Sequence, residues 1–145
     1  MSAEDLKALE RRVITESNKG KAAAMAVTDE LYATNIVLHP GMGEDIRGLK
    51  DFKQYVSNLC DAFPDIHVTI DDIIVEGDKV AVRFTTTGTH KRELMGIPAT
   101  NKKATWSGIE IDRFAGGKFV ECWERLDTLG IMQQLGVVPT PGKGK

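Results

Sequence analysis

Apolar residues in this chain recur mainly at helical spacing up to Phe63 and at strand spacing from Ile66 onward, with Pro64 marking the change. Leu6, Leu9, Val13 and Ile14 lie three and four residues apart, which predicts a helix over residues 2–17. Gly20 interrupts it, and a second helical segment runs from Ala22 toward Leu31 and Tyr32. A third, over residues 49–63, carries Phe52, Tyr55, Val56 and Leu59 as one apolar stripe. Pro64 stops it, because proline lacks the backbone donor and clashes with the preceding turn. Between the second and third helices, residues 36–39 read as a short strand closed by Pro40-Gly41 and a glycine-rich loop.

Downstream, residues 66–75 alternate with period two, and Gly77-Asp78 turns the chain into a strand over 79–90. A loop containing Gly96-Ile97-Pro98 leads to a strand over 104–114, the Gly116-Gly117 turn and a last strand ending near Asp127. Residues 129–135 form a short closing helix. Helices first and hairpin-joined strands afterwards predict an α+β fold, an antiparallel sheet with helices segregated to one face. Residues 1–136 are expected to form one domain, and the Pro- and Gly-rich stretch 137–145 a flexible tail.

A chain of 145 residues, 41% hydrophobic and 28% charged, can bury a proper core. Its net charge of -2 speaks against a general nucleic-acid binder. No apolar run approaches the roughly 20 residues that span a bilayer. Residues 1–12 are charged and helical in pattern, unlike a signal peptide, so the expected location is cytoplasmic. Cys60 and Cys122 have no metal-ligand or redox spacing and read as small core residues, and the three histidines likewise show no metal-site spacing. No metal is expected.

The functional reading centres on residues 120–127, Val-Glu-Cys-Trp-Glu-Arg-Leu-Asp. Strand alternation puts Glu121, Trp123, Arg125 and Asp127 on one face and Cys122, Glu124 and Leu126 on the other. With Gly116 and Gly117 as the centre of a two-residue hairpin, Glu110 is expected opposite Trp123, Gly108 opposite Arg125 and Trp106 opposite Asp127. That register gathers two tryptophans and three charged groups on one surface, with Gly108 leaving room for a ligand or a close-packed side chain. It also opposes Asp112 to Glu121, an unfavourable like-charge pair that a bulge would relieve. Arg83 on the preceding strand is either a ligand-orienting group or a solvated arginine. His39 and His90 stand at strand ends, where a pocket rim is expected, and Tyr32 is placed as a hydrogen-bond donor to an oxyanion. Tyr55 is a candidate for the same donor role, but its place on the apolar helix stripe favours a core reading. Met95 and Ile97 beside Gly96 are read as either a lid or ordinary loop packing.

Several segments together resemble the SnoaL-like polyketide cyclase family of the nuclear-transport-factor-2-like superfamily. They are Ala62-Phe63-Pro64-Asp65, Asp72, Glu76 through Arg83, Gly88-Thr89-His90 and Gly96-Ile97-Pro98-Ala99-Thr100. Gly108-Ile109, Arg113, Gly117-Lys118, Glu121-Cys122-Trp123, Asp127 and Gln134-Leu135-Gly136 continue the pattern. The resemblance implies a cone-shaped fold in which a curved sheet wraps around helices and encloses a pocket. It also implies intramolecular aldol ring closure of a small hydrophobic carbonyl compound without cofactor, with the acidic residue ending the tryptophan strand, here Asp127, as general acid/base. Trp106, Trp123, Glu110, Arg83, His39, His90 and Tyr32 are the expected substrate contacts. Relatives commonly dimerise through the sheet, for which Ile109, Ile111 and Cys122 are candidates. Lys91-Arg92-Glu93 departs from the pattern near the expected pocket mouth. A helix N-cap role for Asp127 and a purely binding, non-catalytic pocket remain the alternatives.

Overall fold

The computed structural model describes residues 1–141. Helices α1 (Ala3–Ser17) and α2 (Lys21–Leu31) open the chain, followed by strand β1 (Tyr32–His39), the two-residue strand β2 (Ile46–Arg47) and helix α3 (Leu49–Ala62). Strands β3 (His67–Glu76), β4 (Lys79–Thr89), β5 (Lys103–Ala115) and β6 (Lys118–Leu126) follow, and α4 (Thr128–Gln134) closes the fold. Residues 142–145 of the expected tail lie outside the described residues.

Each element has a local cause. Ser2 caps α1 by accepting from the Asp5 N–H while the Asp5 side chain accepts from the Ser2 N–H, so two otherwise orphaned donors are satisfied. The β5–β6 hairpin turns on Gly116 and Gly117 at φ of 58° and 76°, a left-handed pair that glycine adopts without steric cost. The strands form one six-stranded curved sheet in the order β2-β1-β6-β5-β4-β3. The sheet is not wholly antiparallel as expected: β1 runs parallel to β6. The chain reaches that edge from α2, so no hairpin dictates the direction of β1.

The helices fill the concave side. Leu6 and Val13 of α1, Val27 and Leu31 of α2 and Phe52 of α3 pack on Ile36, Leu38, Val80, Val82, Phe114 and Phe119 from the sheet. A second cluster, Ala62, Phe63, Ala104, Trp106, Ile131 and Leu135, joins the end of α3 to β5 and α4. Between the two clusters the cone is not filled by side chains, and this gap is the site described next.

Candidate active site

The hairpin register decides which side chains face the cone. Ala115 pairs with Lys118 and Phe114 with Phe119, as expected of a two-residue turn, but the register then shifts. Arg113 pairs with Glu121, Asp112 with Cys122, Ile111 with Trp123, Glu110 with Glu124 and Gly108 with Leu126. Val120 is the extra residue of the bulge. The shift separates Asp112 from Glu121 and gives Glu121 an Arg113 partner, with Nη2 at 3.2 Å from Oε1. An opposed pair of like charges becomes an ion pair.

One residue of slip turns every later side chain of β6 relative to β5. The two tryptophans therefore separate. Trp106 is buried on the concave face and packs its ring 5.2 Å from Phe63. Trp123 faces out and stacks 5.5 Å from His39. Both nitrogens of His39 lie against carboxylates, Nε2 2.7 Å from Glu121 and Nδ1 2.9 Å from Asp45, and the protonated ring donates to both. These contacts raise its pKa above the usual histidine value, Glu121 contributing most. His39 is thus an outer-face ion-pair residue, not a pocket rim.

Other expected contacts also lie away from the cavity. Arg83 is exposed on the outer face, 3.9 Å from Asp71 and 3.8 Å from Asp72. Tyr32 is a buried core residue stacked between Phe52 at 4.6 Å and Phe119 at 4.3 Å. His90 is fully buried, its Nδ1 held by the Thr100 hydroxyl at 3.1 Å and the Thr100 N–H at 3.3 Å. The gap at Gly108 is taken by protein: a Cβ there would come within 2.6 Å of Phe84 and 2.8 Å of Leu126.

Asp127 is exposed and caps α4, accepting from the Gly130 N–H at 3.0 Å. It does not line the cavity. Four acids do, Glu44, Asp61, Glu93 and Glu124, and of these only Glu124, three residues earlier on the opposite face of the chain, is not exposed.

The cavity measures about 730 Å³. Tyr55, Asn58 and Leu59 of α3 form one wall, Trp106, Glu124 and Leu126 of the sheet another, and Ile131, Met132 and Leu135 close the α4 side. Residues 42–44, 92–95 and Ile97 surround the rest, with Met95 and Ile97 both among the lining residues. Its walls are mainly apolar, as small-molecule pockets are. The Tyr55 hydroxyl donates to Glu124 Oε1 at 3.1 Å, and the Gly41 N–H approaches the same oxygen at 3.4 Å. Burial pushes the Glu124 carboxyl above its ordinary range, against these two donors, which favour the ionised form. Burial and then the neighbouring carboxylate push the Tyr55 phenol well up, so it is a neutral donor near neutral pH. Helical periodicity explains both the core reading of Tyr55 and its failure to reveal the site: the same stripe that packs α3 also faces the cavity.

Glu110 also faces inward, as the cross-strand partner of Glu124. Among the described residues, Glu110, Asp112 and Cys122 bring one potential ligand atom each within 4.8 Å of one another. Histidine is absent from this set. Asp112 is also within hydrogen-bonding reach of Glu10, Glu110 and Cys122, so protons can bridge the same atoms.

A curved sheet wrapped around helices with an apolar cavity at its wide end is the nuclear-transport-factor-2-like class of fold. Within that class, residues 8–135 match the family model for SnoaL-like polyketide cyclases, and the chain belongs to that family. Aklanonic acid methyl ester cyclase DnrD from Streptomyces peucetius is 30% identical over 138 residues, covering 92% of each chain. The crystal structure of AclR, a candidate hydroxylase from Streptomyces galilaeus, is 28% identical with a TM-score of 0.82 over 95% of this chain and 100% of that one. A SnoaL-like protein from Jannaschia sp. CCS1 shares the fold at a TM-score of 0.86, covering 94% of each chain at 19% identity. No helix among the described residues is long and apolar enough to cross a membrane.

Proposed function

We propose that this protein is a cofactor-independent cyclase acting on a small hydrophobic polyketide-type carbonyl ester, with Glu124 as general acid/base and Tyr55 as its hydrogen-bond donor. The observation that carries the reading is the Glu124 carboxyl, raised by burial and bonded to a phenol, in the wall of a mainly apolar cavity. Names of relatives point the same way, since DnrD is an aklanonic acid methyl ester cyclase.

In the first step a Glu124 oxygen takes an acidic proton from the carbon beside a carbonyl. The C–H pair moves into the enolate, and the Tyr55 hydroxyl, released from Glu124 once that carboxyl holds the proton, turns its single O–H to the enolate oxygen. The enolate carbon then attacks a second carbonyl of the same molecule, forming the ring C–C bond and an alkoxide. Glu124 returns its proton to that alkoxide, so no net proton or electron is exchanged. A raised carboxyl suits both roles, because a base must release its proton again at the end of the cycle. Apolar walls hold the two reacting ends together and exclude water from the enolate.

Turnover of a panel of polyketide methyl esters tests the reading: Glu124→Gln is expected to abolish it and Asp127→Asn to retain it. Equal activity in Glu124→Gln and wild type would sink the assignment. A second reading, a binding protein without chemistry, is favoured by the position of Asp127 outside the cavity. Saturable ligand binding with no turnover by the wild-type chain would select it.

The outer sheet face supports self-association. Ile74, Ala81, Ile111, Trp123 and His39 are successive cross-strand partners across five strands. Ile74, Ile109 and Ile111 are 61%, 53% and 41% exposed on that face. A second copy of the chain is the proposed occupant, because one such row is complementary to another about a two-fold axis. Cys122 takes no part, since it is buried on the concave side.

A further inference from the structure

Behind Glu124, the concave face carries a run of acids that the steps above do not use. Glu110 is the cross-strand partner of Glu124, Asp112 follows on the same face of β5, and Glu10 reaches Asp112 from α1. Asp112 is 1% exposed and Glu10 3%. As carboxylates, both oxygens of Asp112 and Oε1 of Glu10 have no hydrogen-bond partner. None of the ion pairs among the described residues includes Glu10, Glu110, Asp112 or Glu124. A buried, unpaired carboxylate costs several kcal/mol, so the charge is removed or compensated.

The groups facing this run are themselves acidic or neutral. Tyr32 comes from β1, Tyr55 from α3, and Cys122 from β6 beside Asp112. Arg125 contributes a weak favourable charge at Glu124 from the outer face. Asp112 lies within hydrogen-bonding reach of both Glu10 and Glu110, so one proton shared with each would satisfy the orphaned atoms with no further partner. The far end of the run is sealed by α1, whose Leu6 and Val13 flank Glu10 and pack into the core, and the near end is the cavity wall.

We infer that Glu110, Asp112 and Glu10 form a proton store behind Glu124, a file of hydrogen-bonded carboxyls closed at α1 and open at the cavity. The inference rests on Glu124 being the acid/base. Glu110, Asp112 and Glu10 are positioning residues: they act through Glu124 and not on substrate. When Glu124 takes the substrate's carbon proton, one C–H bond breaks and one O–H forms, while Glu110 keeps its own proton. On return the Glu124 O–H breaks and the alkoxide O–H forms. A neutral Glu110 lets Glu124 ionise, whereas an ionised one opposes it, because two adjacent like charges resist forming together.

Infrared difference titration of the full chain reads this directly, since the carboxylic acid C=O stretch is separate from the carboxylate stretches. Acid bands are expected to persist at pH values where ordinary carboxyls have ionised. Glu10→Gln, Asp112→Asn and Glu110→Gln are each expected to remove one acid band. Because Glu110 keeps its proton while Glu124 ionises, Glu110→Gln replaces one neutral group by another and is expected to leave the Glu124 midpoint near wild type, as is Glu10→Gln at the closed end. The wild-type titration decides the matter even if Asp112→Asn does not fold. Ionisation of every carboxyl in the ordinary range overturns the store. So does a Glu124 midpoint that falls in Glu110→Gln, since Glu110 would then have been ionised beside it, or loss of the acid bands on adding one equivalent of zinc or manganese ion alone. Persistent bands with no turnover in the wild-type chain leave the store in place and remove the catalytic reading instead.

Discussion

The two faces of the β5–β6 hairpin carry similar residue types and do opposite things with them. On the outer face, Glu121 has a guanidinium and an imidazole beside it, so its carboxyl is held below the ordinary range, chiefly by His39. On the concave face, Glu110 and Glu124 stand opposite each other without an ion-pair partner, and burial raises both. The same side chain is a paired anion on one side and a carboxyl raised by burial on the other. A tryptophan on each face follows the same division: Trp123 stacks on His39 at the surface, and Trp106 walls the cavity. The lesson is that environment, set by a single bulge, assigns roles that residue type alone leaves open.

The sharpest way to break this contrast is at the carboxyls. Glu124→Gln is expected to lower turnover by roughly 10²–10⁴-fold, the usual contribution of a positioned acid/base. Glu121→Gln, on the outer face, is expected to leave kcat near wild type in the same steady-state assay. Next in size are the aromatic residues. Trp106→Ala is expected to cost about 3–5 kcal/mol in urea unfolding, as for other buried large-to-small changes. Trp123→Ala is expected to cost less and to shift the sedimentation profile toward monomer.

Stability against pH sharpens the contrast further. Burial raises the Glu10 carboxyl from 4.5 to about 7. The folded state therefore binds this proton more tightly than the unfolded state. Its contribution is fully present below the ordinary carboxylate range and is lost as pH rises toward 7. The urea midpoint is expected to fall between pH 5 and pH 8, and Glu10→Gln to flatten that fall; a midpoint rising over the same interval would contradict the raised carboxyl.

Smaller effects are expected where packing or capping alone is disturbed. Gly108→Ala brings a methyl against Phe84 and Leu126 and is expected to cost about 1–3 kcal/mol, with partial rescue by Leu126→Ala. Asp127→Ala removes the α4 cap and is expected to cost about 1 kcal/mol of stability. Thermal unfolding of these variants orders them, and a larger loss at Asp127 than at Trp106 would reverse the division of the two faces.

Much of the architecture was legible in local patterning. The apolar spacings at Leu6, Leu9, Val13 and Ile14 correspond to α1, the Phe52–Tyr55–Val56–Leu59 stripe to α3, and Gly77-Asp78 and Gly116-Gly117 to the two hairpin turns. These signals depend on neighbours within a few residues, which is why they survive without tertiary information. The two-residue strand β2 was hidden in the glycine-rich loop because so short an element has no period of its own.

The site was less legible. Strand alternation correctly grouped Glu121, Trp123 and Arg125 on one face and Cys122, Glu124 and Leu126 on the other, yet it cannot say which face looks inward. The clash of Asp112 with Glu121 was the one sequence signal of the bulge. Its resolution moved the cavity carboxyl from Asp127 to Glu124.

The sequence by itself determined the order and type of every element but β2, the hairpin turns and the family pattern, because each is encoded in local spacing. Only the tertiary structure decided that β1 lies parallel to β6, that α3 brings Tyr55 to Glu124 and that α1 brings Glu10 to Asp112. Those meetings join residues up to about a hundred positions apart, and their geometry depends on sheet curvature and one inserted residue. No local pattern carries that information.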